Sequence, residues 1–381
     1  MDFSQNLSME EAFALAEAEA KLRTALQEST ARFESAVLPN RLNEDWRYGS
    51  PNKYAAALAE VLQSEVRSQG EATVTHDAGA AVGVTKEDED LLQPEMLMPS
   101  IGSDALLGMH IERFGDGYAL YIEESTKEPI CIRYATEGLY TPSTFIMVAP
   151  GVKAHVIEEH LGRGENATLF VTRNIQVAEG AELQVELRSS GAARYMCITN
   201  VQNMGGKVNH FTGHESHAWA REETVAEIYS SAEGTSVELY SANRLTGDAV
   251  LDQHTAQLHH VGGAYSNLLY KNVVDDHATA IFAGNIRVEE GAHNTDAYQA
   301  NRNLLLSEKA SVHSLPGLEI LADRVRCSHG SASSPVDEEA LFYLCSRGIP
   351  RKEAYEHISQ GFLNDAYNRF TRNTGINEPG E

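Results

Sequence analysis

Hydrophobic and polar residues along this 381-residue chain follow three successive patterns. Residues 8–36 are rich in Ala, Glu and Leu and contain neither Gly nor Pro, which is typical of a helix. Ser8 and Glu11 have the spacing of a capping box at its start. A second helical pattern covers residues 53–68, and the polar segment 70–90 predicts a loop. The first pattern therefore predicts a largely helical amino-terminal domain.

The second pattern, from about residue 129 to residue 330, consists of short β-branched and aromatic strands joined by a recurring kind of turn. Strand alternation of the same kind already occurs at residues 118–122. Many of the turns contain a Gly, which tolerates positive φ, and their spacing is irregular. Strand–turn units without helices between them exclude a doubly wound sheet and favour a β-solenoid over a β-sandwich. The turns are residues 149–152, 178–181, 232–235, 275–278, 289–292 and 307–310.

The third pattern is helical again and starts at Pro335. Acidic residues 337–339 suit the first turn of a helix, and Gly348 is placed to end it. A second helix is predicted from about Pro350, and residues 371–381 form a polar tail. The apolar faces are Ala340, Leu341, Leu344 and Cys345 in the first helix, and Ala354, Ile358, Phe362 and Ala366 in the second. Three domains are therefore predicted, with bounds 1–128, 129–334 and 335–381.

Charge and composition exclude several classes of function. A formal charge of -25 repels phosphate backbones and anionic lipid, so neither nucleic acid nor a membrane is an expected partner. No apolar run reaches the roughly 20 residues of a membrane-spanning helix, and the start of the chain lacks a basic region followed by an apolar one. A cytoplasmic location is therefore expected. The four cysteines are widely spaced without a C-x-x-C pair, which argues against a disulfide framework and against a self-contained metal site.

Cys327 and His329 are the best ligand candidates by residue type, because thiolate and imidazole both bind iron and zinc. Alternation places the two on one face of a strand. Two ligands do not make a complete site, and a buried cysteine beside a hydrogen-bonded histidine would give the same pattern.

Other candidate groups carry weaker signals. The histidines at 210–217 and 254–260 lie in strand-like sequence, where surface or core positions without metal are the expected state. No phosphate-binding loop and no GxSxG elbow occur. Turn carboxylates leave one alternative open, a stand-alone β-solenoid enzyme that uses paired acids. These carboxylates are Asp275, Asp276, Glu289 and Glu290.

Two separated motifs resemble the SufB/SufD family of iron–sulfur cluster assembly scaffolds, in particular its SufD branch. The first lies near the amino terminus and comprises Leu38, Pro39, Arg41, Glu44, Trp46, Arg47 and Tyr48. The second extends over residues 294–362 and includes 295–307, 318–320, 326–330, 341–344 and 346–349. The resemblance implies a right-handed parallel β-helix core with helical amino- and carboxy-terminal domains.

The resemblance also implies a role. A SufD-like chain is a non-catalytic scaffold subunit that pairs with a SufB-type subunit through core strands. It binds one SufC-type ATPase through its terminal helices, and ATP-driven dimerisation of two SufC subunits would expose the interface between the scaffold subunits. A transient iron–sulfur cluster would form there, with His329 and more weakly Cys327 contributing to it. The ATPase-binding residues implied are Phe342, Tyr343, Arg347, Gly348, Ile349 and Phe362.

Two positions distinguish the branches. SufB-type chains carry an essential cysteine and an acidic ligand where this chain has Ala310 and Gly330, neither of which can ligate iron through a side chain. The resemblance therefore favours the SufD branch over a homodimeric scaffold that substitutes for SufB. A homodimer of the isolated chain stays open, and flavin binding has no support in the sequence.

Overall fold

The computed structural model of the protein describes residues 70–75, 80–82, 117–215 and 217–372. The helices predicted at residues 8–36 and 53–68 and most of the tail at 371–381 lie outside this part of the chain. The strands are β1 (Glu71–Thr75), β2 (Ala80–Val82), β3 (Gly117–Ile122), β4 (Ile130–Thr136), β5 (Leu139–Tyr140), β6 (Ser143–Val148), β7 (Lys153–Gly162), β8 (Thr168–Val177), β9 (Glu182–Ser190), β10 (Arg194–Asn203), β11 (Lys207–Glu215), β12 (Trp219–Ile228), β13 (Ser236–Leu245), β14 (Val250–His259), β15 (Tyr265–Val274), β16 (Thr279–Val288), β17 (Asp296–Leu305), β18 (Ser311–Ile320) and β19 (Arg326–Pro335); the helices are α1 (Glu338–Ser346) and α2 (Arg351–Arg372).

The strands form two sheets that face each other as the walls of a β-solenoid. Sheet A has the order β1-β4-β7-β9-β11-β13-β15-β17-β19, and sheet B has the order β18-β16-β14-β12-β10-β8-β6-β3-β2. From β3 onward all pairs are parallel, so the chain alternates between the walls and each coil adds one strand to each. The predicted solenoid is confirmed.

Residues with positive φ recur at the corners of the coils. Six glycines stand at the corner where the chain passes from sheet B to sheet A, and all have positive φ: Gly151, Gly180, Gly205, Gly234, Gly263 and Gly291. They follow one another at nearly constant spacing. The turns 275–278 and 307–310 belong to the opposite corner, and mixing the two corners makes the spacing look irregular.

Inward-facing side chains of both sheets form a continuous core along the solenoid. Val156, Val185, Val208 and Leu239 in sheet A are almost fully buried, as are Val171 and Leu251 in sheet B. Because side chains alternate along a strand, the positions between them in sheet A face outward. This alternation fixes the register of every coil.

The loop predicted at residues 70–90 is wrong where the structure describes it. Residues 71–75 form β1, which pairs antiparallel with β4, and residues 80–82 form β2, which pairs antiparallel with β3. In β1 the side chains of Ala72 and Val74 pack on the core while their neighbours are exposed. The segment is short and rich in small residues, so the alternation is difficult to recognise in the sequence. These strands form because they pair with the otherwise open edges of the first coil.

The two carboxy-terminal helices confirm the helical pattern from residue 335 onward. Asp337 caps α1 by accepting a hydrogen bond from the Glu339 backbone N–H, and Gly348 follows the helix with a φ of 88°. Helix α2 lies on the outer face of sheet A, where Phe370 packs against Phe211 and Tyr240. No helix in the described part of the chain is both long and apolar enough to cross a membrane.

Candidate functional site

The last coil, formed by β18 and β19, differs from the first in having open edges. Strand β18 pairs with β16 and β19 pairs with β17, and among the described residues neither strand has a neighbour on its other side. Their side chains are half-buried or exposed, whereas at least half of the side chains in β16 and in β17 are buried. An unpaired strand edge is a template for pairing with another chain.

Backbone geometry distinguishes the two open edges. In β18 the N–H of Ser311 donates to the carbonyl of Ala278, the residue before β16, so odd-numbered residues point their N–H groups at β16 and even-numbered ones at the open edge. Pro316 is even-numbered and removes a donor from that edge without breaking the ladder. In β19 the N–H of Arg326 donates to Thr295, so the odd-numbered residues from Cys327 to Ser333 present their donors outward. The β19 edge is therefore the better surface for strand pairing.

Cys327 is half-buried at the start of β19. It aligns with the fully buried Ala297 of β17 and packs against the apolar cluster of Ile286 and Val288. Burial raises the pKa of its thiol, and metal ligation requires the thiolate. Cys327 is thus the weaker candidate of the predicted pair.

His329 is exposed, and its imidazole has no hydrogen-bond or ion-pair partner among the described residues. It aligns with Gln299 of β17, a buried residue whose side chain crosses the interior, so His329 faces the open mouth of the solenoid. Cys327 and His329 therefore share a face, as predicted. The alternative of a buried, hydrogen-bonded structural histidine does not agree with this exposure.

Position 330 faces away from the His329 imidazole, and Ala310 lies far from it. A side chain at position 330 would point to the outer face of sheet A, where the Arg302 guanidinium lies 3.9 Å from the position of a Cβ. Ala310 precedes β18 at the opposite corner, on the order of 20 Å from His329 at about 3.3 Å per strand residue. One chain of this shape cannot place ligands at all three positions around a single metal ion.

The six residues implied as the ATPase interface separate into two groups. Phe342 and Tyr343 on α1 are 75% and 56% exposed, and the Arg347 guanidinium lies 5.0 Å from the Tyr343 ring. Gly348 ends the helix. Ile349 and Phe362 instead pack in the cluster that holds the helices on sheet A, and the Lys271 ammonium lies over the Phe362 ring at 4.5 Å. The exposed group forms an apolar patch with a basic edge.

A buried polar network inside the solenoid was missed by the sequence analysis. Arg173 donates to Glu158 at 2.9 Å and to His210 at 2.9 Å, and all three are fully buried. Burial alone would raise the pKa of Glu158, but the Arg173 charge and the bond to His160 hold it at about 2. The sequence did contain a signal for it. Glu158 and His160 follow Ala154 and Val156 at every second position of β7, so their side chains also point into the core.

A second part of this network contains a defined hydrogen-bond chain. Nδ1 of His217 contacts the backbone N–H and carbonyl of Ala192, and its Nε2 lies 2.9 Å from the Ser189 hydroxyl. The same hydroxyl lies 2.6 Å from Nδ1 of His214, and Nε2 of His214 donates to Glu222 at 2.9 Å. All these side chains are buried, so the serine is not accessible as a nucleophile.

The turn carboxylates of the alternative enzyme do not converge. Asp276 has a φ of 51° and accepts a hydrogen bond from the Gly247 N–H, while Glu289 pairs with Arg287 at 2.8 Å. The two turns lie at opposite ends of β16. In residues 70–75, 117–215 and 217–372 no three His, Cys, Asp or Glu side chains are grouped so as to hold a metal ion.

Comparison with known proteins identifies the family. Residues 132–362 match the family model of the SUF system FeS cluster assembly SufBD core domain. The chain is 26% identical to the iron–sulfur cluster assembly protein SufD of Escherichia coli over 366 residues, which are 85% of this chain and 84% of that protein. It is 40% identical to SufD of Bacillus subtilis over 113 residues, 29% of this chain and 26% of that protein.

A SufBD family protein of Synechocystis is 40% identical over 140 residues, 36% of this chain and 31% of that protein. The chain thus matches only about a third of the length of this relative. The core-domain match, in contrast, extends over more than half of the chain and covers the coils from β4 to β19 together with α1. The chain belongs to the SufBD core family of the SUF iron–sulfur cluster assembly system and is similar to its SufD members.

Proposed function

We propose that this chain is a SufD-like scaffold subunit that pairs with a SufB-type subunit through the edge of β19 and contributes His329 to a cluster formed between them. The observation that carries the proposal is the open last coil, which presents backbone donors and an unpartnered imidazole together. The cluster is the cargo of this scaffold. The partner must supply the other ligands, because the described residues hold no complete ligand set.

The chemistry of the two candidate ligands supports this assignment. A neutral imidazole binds iron through a ring nitrogen without first losing a proton. Because His329 has no hydrogen bond to a described residue, no such bond would have to be broken before it binds the metal. Burial favours the neutral thiol of Cys327, so this residue serves mainly to pack the strand. His329 is the primary ligand and Cys327 is secondary.

We also assign ATPase docking to the exposed patch of Phe342, Tyr343 and Arg347. Large exposed apolar side chains beside polar ones mark protein interaction sites. Ile349 and Phe362 hold the helices on sheet A and support the patch from below. Movement of the bound ATPase would then be transmitted to the β19 edge through sheet A, on which α1 and α2 are packed.

The ligand role is tested in the complex co-expressed with the SufB-type and SufC-type proteins of the same organism and purified without oxygen. His329→Ala should leave the complex assembled and lower the iron bound per complex. His277→Ala is the matched control, because His277 is an exposed turn histidine at the opposite corner of the solenoid from His329. Normal iron content in His329→Ala would rule out the ligand role.

The two interfaces are tested separately. Ser331→Pro removes an open-edge N–H from β19 while the ladder to β17 stays complete, so it should block pairing with the SufB-type subunit. A second copy of this chain would pair through the same edge. If Ser331→Pro abolishes a homodimer but not binding of the SufB-type subunit, the edge serves self-association instead. Phe342→Glu with Tyr343→Glu should abolish co-elution with the ATPase, whereas Met204→Glu, at an exposed apolar site elsewhere, should not.

A further inference from the structure

Gln299 ties the two walls of the solenoid together next to His329. It lies in β17, is 3% exposed and faces inward. Its amide nitrogen donates to the Gly317 carbonyl of β18 at 3.0 Å and to the Gly284 carbonyl of β16 at 3.3 Å. One side chain of sheet A thus holds two adjacent strands of sheet B.

The space for this tie is provided by a glycine. A Cβ at Gly284 would collide with Oε1 of Gln299 and with the Phe282 ring. Any other residue at position 284 would therefore displace the Gln299 side chain. The crossing depends on both residues.

The Gln299 hydrogen bonds lie at the open end of the solenoid, next to His329. Gln299 and His329 are register partners on neighbouring strands, with side chains on the same face. Strand β18 has no neighbour beyond it among the described residues, and it is held from the interior by Gln299 and by the hydrogen bond from Ser314 to Asn301 at 2.8 Å. These contacts set the width of the mouth into which His329 projects.

We propose that Gln299 is a positioning residue for His329, acting through the wall-to-wall tie that fixes the separation of β18 from β19. This inference rests on the proposed ligand role of His329. A histidine ligand is effective only when its surroundings fix its direction, and His329 makes no side-chain hydrogen bond of its own to a described residue. The rigid mouth supplies that constraint.

Gln299→Leu removes the donor at similar size, and Gln299→Glu keeps the length but cannot donate to carbonyls when ionised. In the co-expressed complex, both should raise amide hydrogen exchange in β18 and β19 while leaving β8 unchanged. Both should also lower bound iron, on the order of tenfold as for other residues that orient metal ligands. Gln257→Leu is the control, since Gln257 is equally buried and crosses to the Tyr298 carbonyl at 3.4 Å but does not adjoin His329. It should retain its iron.

The outcomes separate the two proposals. Unchanged exchange in β18 and β19, or equal iron loss in Gln257→Leu, overturns the positioning role. Faster exchange with normal iron also overturns it, because the tie would then be structural only. His329→Ala is measured in parallel: if it retains iron, the ligand role itself is wrong, while if it loses iron and Gln299→Leu does not, only the positioning role fails.

Discussion

Glu158 and Arg173 carry opposite charges in an interior from which their neighbours exclude water. Glu158 accepts hydrogen bonds from Arg173, His160 and Thr144, so the carboxylate keeps the partners it would have in water. A buried ion pair of this kind contributes little net stability compared with apolar residues, but removing one member leaves an uncompensated charge. Replacing only one of the two residues should therefore destabilise the protein far more than replacing both with apolar residues.

We expect Arg173→Met to lower the free energy of unfolding by about 3–5 kcal/mol, because it leaves Glu158 buried without its cation. Arg133→Met is the control: Arg133 pairs with Glu159 at the protein surface, where such pairs contribute about 0–1 kcal/mol. Urea unfolding of both variants measures the difference. Equal effects of the two substitutions would show that the interior charge pair is well solvated.

Cys197 lies beside the same network and is 1% exposed. Burial raises the pKa of its thiol to about 12, and only the thiolate is nucleophilic. Alkylation with iodoacetamide at pH 8 should therefore leave Cys197 unmodified in the native protein and modify it after unfolding in urea. Peptide mass spectrometry reports each cysteine separately, and native labelling of Cys197 as fast as Cys131 would contradict this account.

At the scale of elements, the sequence predicted whether a segment is helix or strand better than it predicted which other segments it contacts. Alternation and turn glycines were enough for the strands, and Gly348 marked the end of α1, but Asp337 was predicted in the first turn of this helix and is its N-cap. The sequence did not reveal β1, because Ala72 and Val74 become recognisable as inward residues only once β4 provides an edge. Nor did it reveal Gln299, because a polar inward side chain is explained only by carbonyls of the opposite wall.

Helix α2 shows how an element can serve both the fold and an interface. It covers Phe211, Leu269 and Val273 on sheet A and is fixed by ion pairs from Arg244 to Glu356 at 2.8 Å and from Lys271 to Asp365 at 2.7 Å. The helices are therefore part of the folded body as well as a candidate docking surface.

Deletion of residues 335–381 should accordingly do more than remove a docking surface. The apolar side chains under α2 would meet water, so we expect increased binding of a hydrophobic dye and lower solubility of the truncated protein. Phe342→Ala is the comparison, because this exposed side chain should change the free energy of unfolding by no more than about 0.5 kcal/mol. A truncated chain with parental solubility and dye binding would mean that α2 contributes little to covering sheet A.

At the scale of the whole molecule, the solenoid explains why one end is available to a partner. The first coil is closed by antiparallel strands β1 and β2, while β18 and β19 end the described sheets with unpaired edges. Pro316 blunts one of these edges, which limits indiscriminate pairing and leaves β19 as the competent one. The candidate ligand could be predicted from residue types and the family resemblance, but the open edge beside it follows only from the strand order.

The stability of the whole molecule should fall as the solution becomes acidic. Burial lowers the pKa of His155 and His259 to about 4 and of His210 and His217 to about 3. Below the usual value of 6.5 the unfolded chain binds protons at these residues and the folded chain does not, so stability is lost between about pH 6.5 and pH 3. Glu158 and Glu222, with pKa values of about 2, contribute stability above pH 4.5 that is lost as the pH falls towards 2.

One effect opposes this trend, because protonation also reduces the repulsion expected from a net charge of -25. Surface repulsion is screened over about 8 Å at 0.15 M salt, whereas buried groups are screened much less, so the histidine effect should dominate at moderate salt. Urea midpoints between pH 7.5 and pH 4.5 measure the slope. His259→Gln keeps a donor for Ser266 but cannot titrate, and should flatten the slope. Stability that rises on acidification at this salt concentration would show that surface repulsion outweighs the buried histidines.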